Sequence, residues 1–221
     1  MKRHAYSAPE QAAIYRVIAE RRDMRHFLPT PVAAEVLDRL LTAAHHAPSV
    51  GLMQPWRFIR ITDRNLRLDI HQLVDAERVR TAQAIGEYEN TARMAEFLRL
   101  KVEGILDCGE LLVAALCDKR EQHIFGRRTL PEMDLASVSC AIQNMWLAAR
   151  AEGLGMGWVS IFDPKELAQL LGMPEDAKPV AILCLGHVNS FYKEPMLVET
   201  GWRTARPLQN MVLENGWDSK E

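Results

Sequence analysis

Leu111-Leu112-Val113-Ala114-Ala115-Leu116-Cys117 is an uninterrupted apolar run of strand length. A strand with one wet face alternates polar and apolar side chains, whereas a run with no polar position needs helices over both faces of its sheet. The stretch therefore predicts a central strand in a layered protein of helices and strands. Working outward, Arg57-Phe58-Ile59-Arg60-Ile61-Thr62 alternates as a half-buried strand does, and PVAILCLGH, Pro179 to His187, gives a further strand. Gly153-Leu154-Gly155-Met156-Gly157-Trp158-Val159-Ser160 ends a helix and begins another strand. Its glycines precede that strand, unlike those of a dinucleotide-binding fingerprint, which join a strand to a following helix.

The helices read from their periodicity. Pro9 opens the first, with Ala13, Ile14, Val17 and Ile18 predicting a packed face that runs out at Arg21 and Arg22. Prolines at 29 and 31 mark a connector, and a second helix carries Val36, Leu37, Leu40, Leu41 and Ala44 before His45-His46-Ala47-Pro48 stops it. Adjacent histidines point about 100° apart on a helix and make a poor chelate, so they read as helix-end residues. Residues 63–109 are charged and mostly helical, broken near Gly86 and Gly104, with Met94, Phe97, Leu98 and Val102 as a buried stripe. This excursion is either ordinary packing with solvated faces or a lid over a pocket. Asp118 to Leu130 reads as a surface loop. Pro131 then opens a long helix whose stripe is Leu135, Val138, Ile142, Met145, Trp146 and Ala149, with small residues elsewhere that admit a close helix neighbour, including one from a second subunit. Asp163-Pro164 starts a short helix. From Val188 onward periodicity fades, yet Trp202, Arg203, Arg206 and Trp217 predict an arm wrapped on a surface.

Composition narrows the function. The 221 residues, 48% of them hydrophobic, suffice for one large domain, expected to span 1–221 with the lid-like excursion at about 63–109 and the arm at about 188–221. Lys and Arg total 27 against 29 acidic residues, a formal net charge of -2 that offers no basic field for nucleic acid. Cys108, Cys117, Cys140 and Cys184 form no C-x-x-C pair and read as reduced core residues. MKRHAYSAPEQ lacks the apolar core of a signal peptide, and no apolar run approaches the roughly 18 residues of a membrane span. The expectation is a soluble, cytoplasmic protein without a metal.

Chemistry concentrates in Arg21-Arg22-Asp23-Met24-Arg25, three guanidinium groups within five residues. One reading is a solvated helix end; the other is a phosphate site, because the planar guanidinium fork donates two parallel charge-assisted hydrogen bonds. The loop Ser49-Val50-Gly51-Leu52-Met53-Gln54-Pro55-Trp56 offers serine, glutamine and tryptophan as ligand contacts, and Arg203 and Arg206 could join the arginines from the tail.

R-R-D-x-R after a first helix, A-P-S-x-G-x-x-Q-P-W before a strand, G-L-G-M-G-W-V-S after a long helix and R-x-x-R-P near the end resemble the FMN-dependent nitroreductase family over almost the whole chain. Asp23, where ordinary nitroreductases commonly carry serine, and the G-W-V-S run ending in Ser160 resemble its 5,6-dimethylbenzimidazole-forming branch. The resemblance implies an α+β sandwich, a mostly antiparallel central sheet flanked by helices, and an intertwined homodimer with FMN sites at the subunit interface. It implies that reduced FMN is consumed with O2, giving 5,6-dimethylbenzimidazole, the lower ligand of vitamin B12, and erythrose 4-phosphate. On that pattern Arg21 and Arg25 face the flavin phosphate or pyrimidine edge, Arg22 supports them, and Met24 belongs to the same flavin-binding motif. Ser49 and Gln54 touch the flavin, Arg206 completes the phosphate clamp, Gly157 and Trp158 lay backbone against the ring, and Ser160 lies close by. Asp23 acts beside the ribityl chain as acid or base, its pKa kept low by the arginines. Residues 63–109 match no family motif, and no NAD(P)H site is apparent, which fits reduced flavin supplied by a separate NAD(P)H-using flavin reductase. Two other readings stand beside this one: an NAD(P)H-dependent nitroreductase or quinone reductase that keeps its FMN, and a non-catalytic flavin-binding protein with no use for Asp23.

Overall fold

Glu110–Leu116 (β2) is buried at every position, as its sequence predicts, and lies between Trp56–Arg60 (β1) and Lys178–Gly186 (β4). Gly155–Val159 (β3) pairs with the far side of β4, so the order is β1-β2-β4-β3 and every pairing is antiparallel. The computed structural model describes residues 4–217; the ends of the expected domain 1–221 and of the arm 188–221 lie outside the described residues.

The period-2 alternation of β2 divides the core in two. Leu112, Ala114 and Leu116 face one cluster with Leu183 and Leu185 of β4, while Leu111 and Val113 face another with Ile182 and Cys184. Ala34–His45 (α2) and Met133–Ala151 (α5) cover the first face through Leu37, Leu40, Val138, Ile142 and Met145. Arg64–Tyr88 (α3) and Pro164–Leu170 (α6) cover the second through Ile70, Val74 and Leu167. Burying each such aliphatic side chain is worth about 1.5–3 kcal/mol, which is why an all-apolar strand dictates helices on both sides. Asp163 caps α6 by accepting from the backbone N–H groups of Lys165 and Glu166. Trp56 Nε1 donates to His45 Nδ1 at 3.3 Å, giving that histidine a structural partner.

Several sequence expectations need correction. Ala8–Glu20 (α1) forms, but it buries nothing: Ile14 and Ile18 are 45% and 49% exposed, so the predicted packed face is open within one chain. Leu135 and Leu98 also lie outside the core, leaving Phe97 the buried residue of Thr91–Arg99 (α4). The helix from Arg64 runs past Gly86, which instead makes room for Met94. The loop 118–130 is anchored inward, because Arg127 is buried and pairs with Asp134 of α5, as does Arg120.

The arginine motif adds itself to the free edge of the sheet. Met24 N donates to the Met156 carbonyl at 3.0 Å, and Asp23 bridges Met156 in parallel, so residues 23–25 extend the sheet beyond β3. Glycine at 157 makes this possible: a Cβ there would lie 2.3 Å from the Met24 carbonyl oxygen. The space that the sequence assigns to a flat ligand is therefore filled by the protein's own motif.

Candidate active site

The end of α1, the 23–25 segment and the end of β3 converge on a cavity of about 870 Å³. Asp23 is its best-ordered polar group. Oδ1 accepts from the Trp158 backbone N–H at 2.9 Å and Oδ2 from Arg25 Nη2 at 2.5 Å, while the same Nη2 donates to the Trp158 carbonyl at 2.9 Å. This closed ring of bonds fixes carboxylate and guanidinium against one peptide of β3. Arg25 is 7% exposed, and its Nε and Nη1 are buried without a hydrogen-bond partner among the described residues. Unsatisfied buried donors are costly, and these two are sealed from the cavity, Nη1 lying beside Gly157.

The other arginines divide the work. Arg22 donates to the carbonyls of Ala19, Arg21 and Lys193, tying the end of α1 to the chain after β4. Arg21 lies over the Trp146 ring at 4.5 Å, an arrangement that fixes the guanidinium while leaving its N–H edge for an anion. Trp146 is held in turn by its Nε1 donating to the Arg22 carbonyl at 3.2 Å, with Trp158 6.3 Å away between ring centroids.

Electrostatics at Asp23 run against the sequence expectation. Burial pushes its pKa above the ordinary carboxylate value, and the opposing pull of Arg25, the Trp158 N–H and Arg21 does not cancel that rise. Its side chain is still 41% accessible, because it looks into the cavity while protein surrounds it elsewhere. The arginines keep it oriented; desolvation decides its proton affinity. A positioned carboxylate with raised pKa is suited to moving protons near neutral pH. Ser160 lines the same cavity just past the end of β3, not at a strand start, and its hydroxyl has no hydrogen-bond partner among the described residues.

These features match known proteins. Residues 18–187 fit the nitroreductase family model. The chain belongs to the nitroreductase family. Its sequence is 39% identical over 189 residues to 5,6-dimethylbenzimidazole synthase of Rhodospirillum rubrum, covering 85% of this chain and 87% of that protein. Among solved structures, a BluB-like flavoprotein from Clostridium difficile 630 superposes with a TM-score of 0.70 at 18% identity, covering 90% of this chain and 97% of that one. Iodotyrosine deiodinase bound to FMN and 3-iodo-L-tyrosine also gives 0.70, at 21% identity, with 92% and 100% covered. The α+β fold with an antiparallel central sheet implied by the motifs is thus the fold of this chain.

Not every expected flavin contact lines the cavity. Arg21, Arg22, Asp23, Arg25, Trp158 and Ser160 do. Met24 is 1% exposed and belongs to the core, and Gly157 is covered by the Met24 carbonyl. Ser49 and Gln54 bond to each other, Gln54 N donating to Ser49 Oγ at 3.0 Å, and lie outside the cavity of their own chain. Arg206 is exposed on the arm and is likewise not a lining residue; neither is Arg203.

The unmatched excursion supplies contacts that motif reading missed. Phe97, Leu100 and Val102 give the cavity an apolar wall, joined by Met196 of Met196–Glu199 (α7) and by Trp202 of the arm. Gln143 and Trp146 enter from α5. An apolar set inside an otherwise charged segment was the available signal for the first group.

Proposed function

We propose that this member of the nitroreductase family is a 5,6-dimethylbenzimidazole synthase, consuming reduced FMN and O2 and releasing 5,6-dimethylbenzimidazole and erythrose 4-phosphate. The observation that carries the reading is Asp23: a carboxylate of raised pKa, held by Trp158 and Arg25 at the wall of the cavity. Sequence identity of 39% to a protein of that name supports the same reading.

The residues present fit FMN. The cavity volume is within the roughly 300–1,000 Å³ of small-ligand sites, Trp158, Trp202 and Phe97 line it with aromatic surface, and Arg21 and Arg25 stand in its wall as cations for the anionic parts of the cofactor. Arg21 is assigned to the phosphate, with Arg206 brought to it from the arm. Bound reduced FMN supplies the ring that becomes the product and the electrons that O2 takes. Asp23 moves the protons that cleavage of the ribityl C1′–C2′ bond demands, and the Ser160 hydroxyl is placed to donate to an oxygen at the ring.

Assembly as a homodimer completes this picture. The open apolar face of α1, with Ile14, Tyr15 and Ile18, and the exposed Met133, Ala136 and Cys140 of α5 form a surface suited to a second copy. Ser49 and Gln54, displaced from their own cavity, are then available to the partner's. Light scattering at micromolar concentration should give a dimer, and a flavin-loaded monomer would contradict an interface-built site.

NAD(P)H enters this scheme through a separate flavin reductase. No helix among the described residues is long and apolar enough to cross a membrane, and the four cysteines are free, both in keeping with a cytoplasmic enzyme. Phosphate recognition by arginine predicts that riboflavin binds at least about tenfold more weakly than FMN, since a charge-assisted bond is worth about 1.5–3 kcal/mol. Equal affinities in a fluorescence titration would remove Arg21 and Arg206 from the phosphate. The function itself is tested by mixing the protein with chemically reduced FMN in air and separating the products by HPLC. Dimethylbenzimidazole supports the proposal; intact FMN recovered in full refutes it.

A further inference from the structure

The apolar wall of the cavity comes from two chain segments far apart in sequence, and they meet at one contact set. The Arg93 guanidinium carbon of α4 lies 3.4 Å from the centroid of the Trp202 ring, and Arg93 Nη2 donates to the Trp202 carbonyl at 2.6 Å. Glu96 and Glu89 hold the same guanidinium from its own side at 2.7 and 3.4 Å. Trp202 also packs beside Phe97 at 6.0 Å between centroids, and both rings line the cavity. Neither Arg93 nor Trp202 belongs to a core cluster, and α4 buries only Phe97. Glu89 and Asn90 interrupt the helix before α4, and Gly201 stands immediately before Trp202 at φ 71°.

We infer that Arg93 and Trp202 form a latch that joins the α4 flap to the carboxy-terminal arm over the cavity, so that a bound flavin exchanges with solvent only when this contact opens. The inference rests on the reading of the cavity as a flavin site. A cation stacked on an indole and anchored by one hydrogen bond is strong enough to keep the closed state dominant and weak enough to open during each turnover. Arg93 acts as a positioning residue, because it reaches the cavity only through Trp202. The latch matters for a reaction that destroys its flavin. Reduced FMN that leaves early meets O2 in solution, where it passes two electrons and two protons and yields oxidised FMN and hydrogen peroxide. Closure holds it until fragmentation is complete.

The test uses the full chain, oxidised FMN and the variants Arg93→Ala, Trp202→Ala, Trp202→Phe and the double alanine variant. Stopped-flow flavin fluorescence should show association and dissociation both about tenfold faster in either alanine variant, with no further gain in the double variant and near-parent rates in Trp202→Phe. A residue that merely touched the flavin would speed dissociation and leave association unchanged. Unchanged association, or effects that multiply in the double variant, overturns the latch. Hydrogen exchange on the ligand-free protein gives a readout independent of flavin: either alanine variant should speed exchange in both 91–99 and 196–203. A rise confined to the segment carrying the substitution also overturns it. If the parent shows these kinetics but forms no dimethylbenzimidazole, the synthase reading fails and the latch stands; a parent that binds no FMN refutes both.

Discussion

Gly157→Ala should fold, lose several degrees of Tm, and bind FMN about 100-fold more weakly. The added Cβ would lie 2.3 Å from the Met24 carbonyl oxygen and 2.9 Å from Arg25 Nη1. The nearer atom is backbone, so no rotamer change relieves the clash; the whole 23–25 segment must move away from β3. That movement breaks the Met24 to Met156 hydrogen bond and pulls the Asp23 carboxylate from the Trp158 N–H. Overpacking of this kind costs about 1–3 kcal/mol, and each kcal/mol lowers Tm by about 2–4 °C in a domain of this size. The helices and β1, β2 and β4, which carry most of both hydrophobic clusters, do not touch the added methyl, so the fold survives. The site does not, because misplacing functional groups by about 1 Å is enough to cost about 10²-fold. Thermal melting and a flavin titration on the same sample separate the two effects. A variant that binds FMN with parent affinity would show that the motif is not clamped by β3.

The same glycine marks the boundary of what was legible in the sequence. Val113 and its neighbours announced a strand covered on both faces because the requirement is local: every side chain of the run has to be apolar. Ile14 and Ile18 announced a helix with equal clarity, but no local pattern says whether the surface that receives such a stripe belongs to the same chain. At Gly157 the sequence reveals freedom of approach and cannot say what approaches. Asp23 stands between arginines in the sequence, which suggests a low pKa, yet proton affinity follows from the dehydration that three-dimensional packing imposes. Arg93 and Trp202, 109 residues apart, have no common signature at all. The motifs located the polar wall of the site, and only packing revealed the apolar one.

Asp23→Asn should abolish nearly all dimethylbenzimidazole formation while leaving FMN affinity within a few fold of the parent. The amide keeps the size of the side chain, and its oxygen can still accept from the Trp158 N–H that seats the 23–25 segment on β3, although its NH2 replaces the oxygen that accepts from Arg25 Nη2. What is lost is the ability to take up a proton. Removing one general acid or base costs on the order of 10²–10⁴ in rate, equivalent to roughly 3–5 kcal/mol of barrier. Because burial raises the pKa of Asp23, the native carboxyl binds its proton more tightly than the unfolded chain does. Its contribution to stability is therefore complete below the unfolded value of about 3.9 and is lost as pH rises through the folded value; the amide escapes that loss but also gives up the ion pair with Arg25, so thermal melting accompanies the assay. The pH profile gives a second signature. In the parent the rate should fall with decreasing pH along a limb displaced above the ordinary carboxylate value, as the base becomes protonated, and that limb should be missing from the residual activity of the variant. If Asp23→Asn binds FMN normally and makes dimethylbenzimidazole at the parent rate, the carboxylate serves only to orient Arg25, and the proton transfers must be assigned to another group lining the cavity.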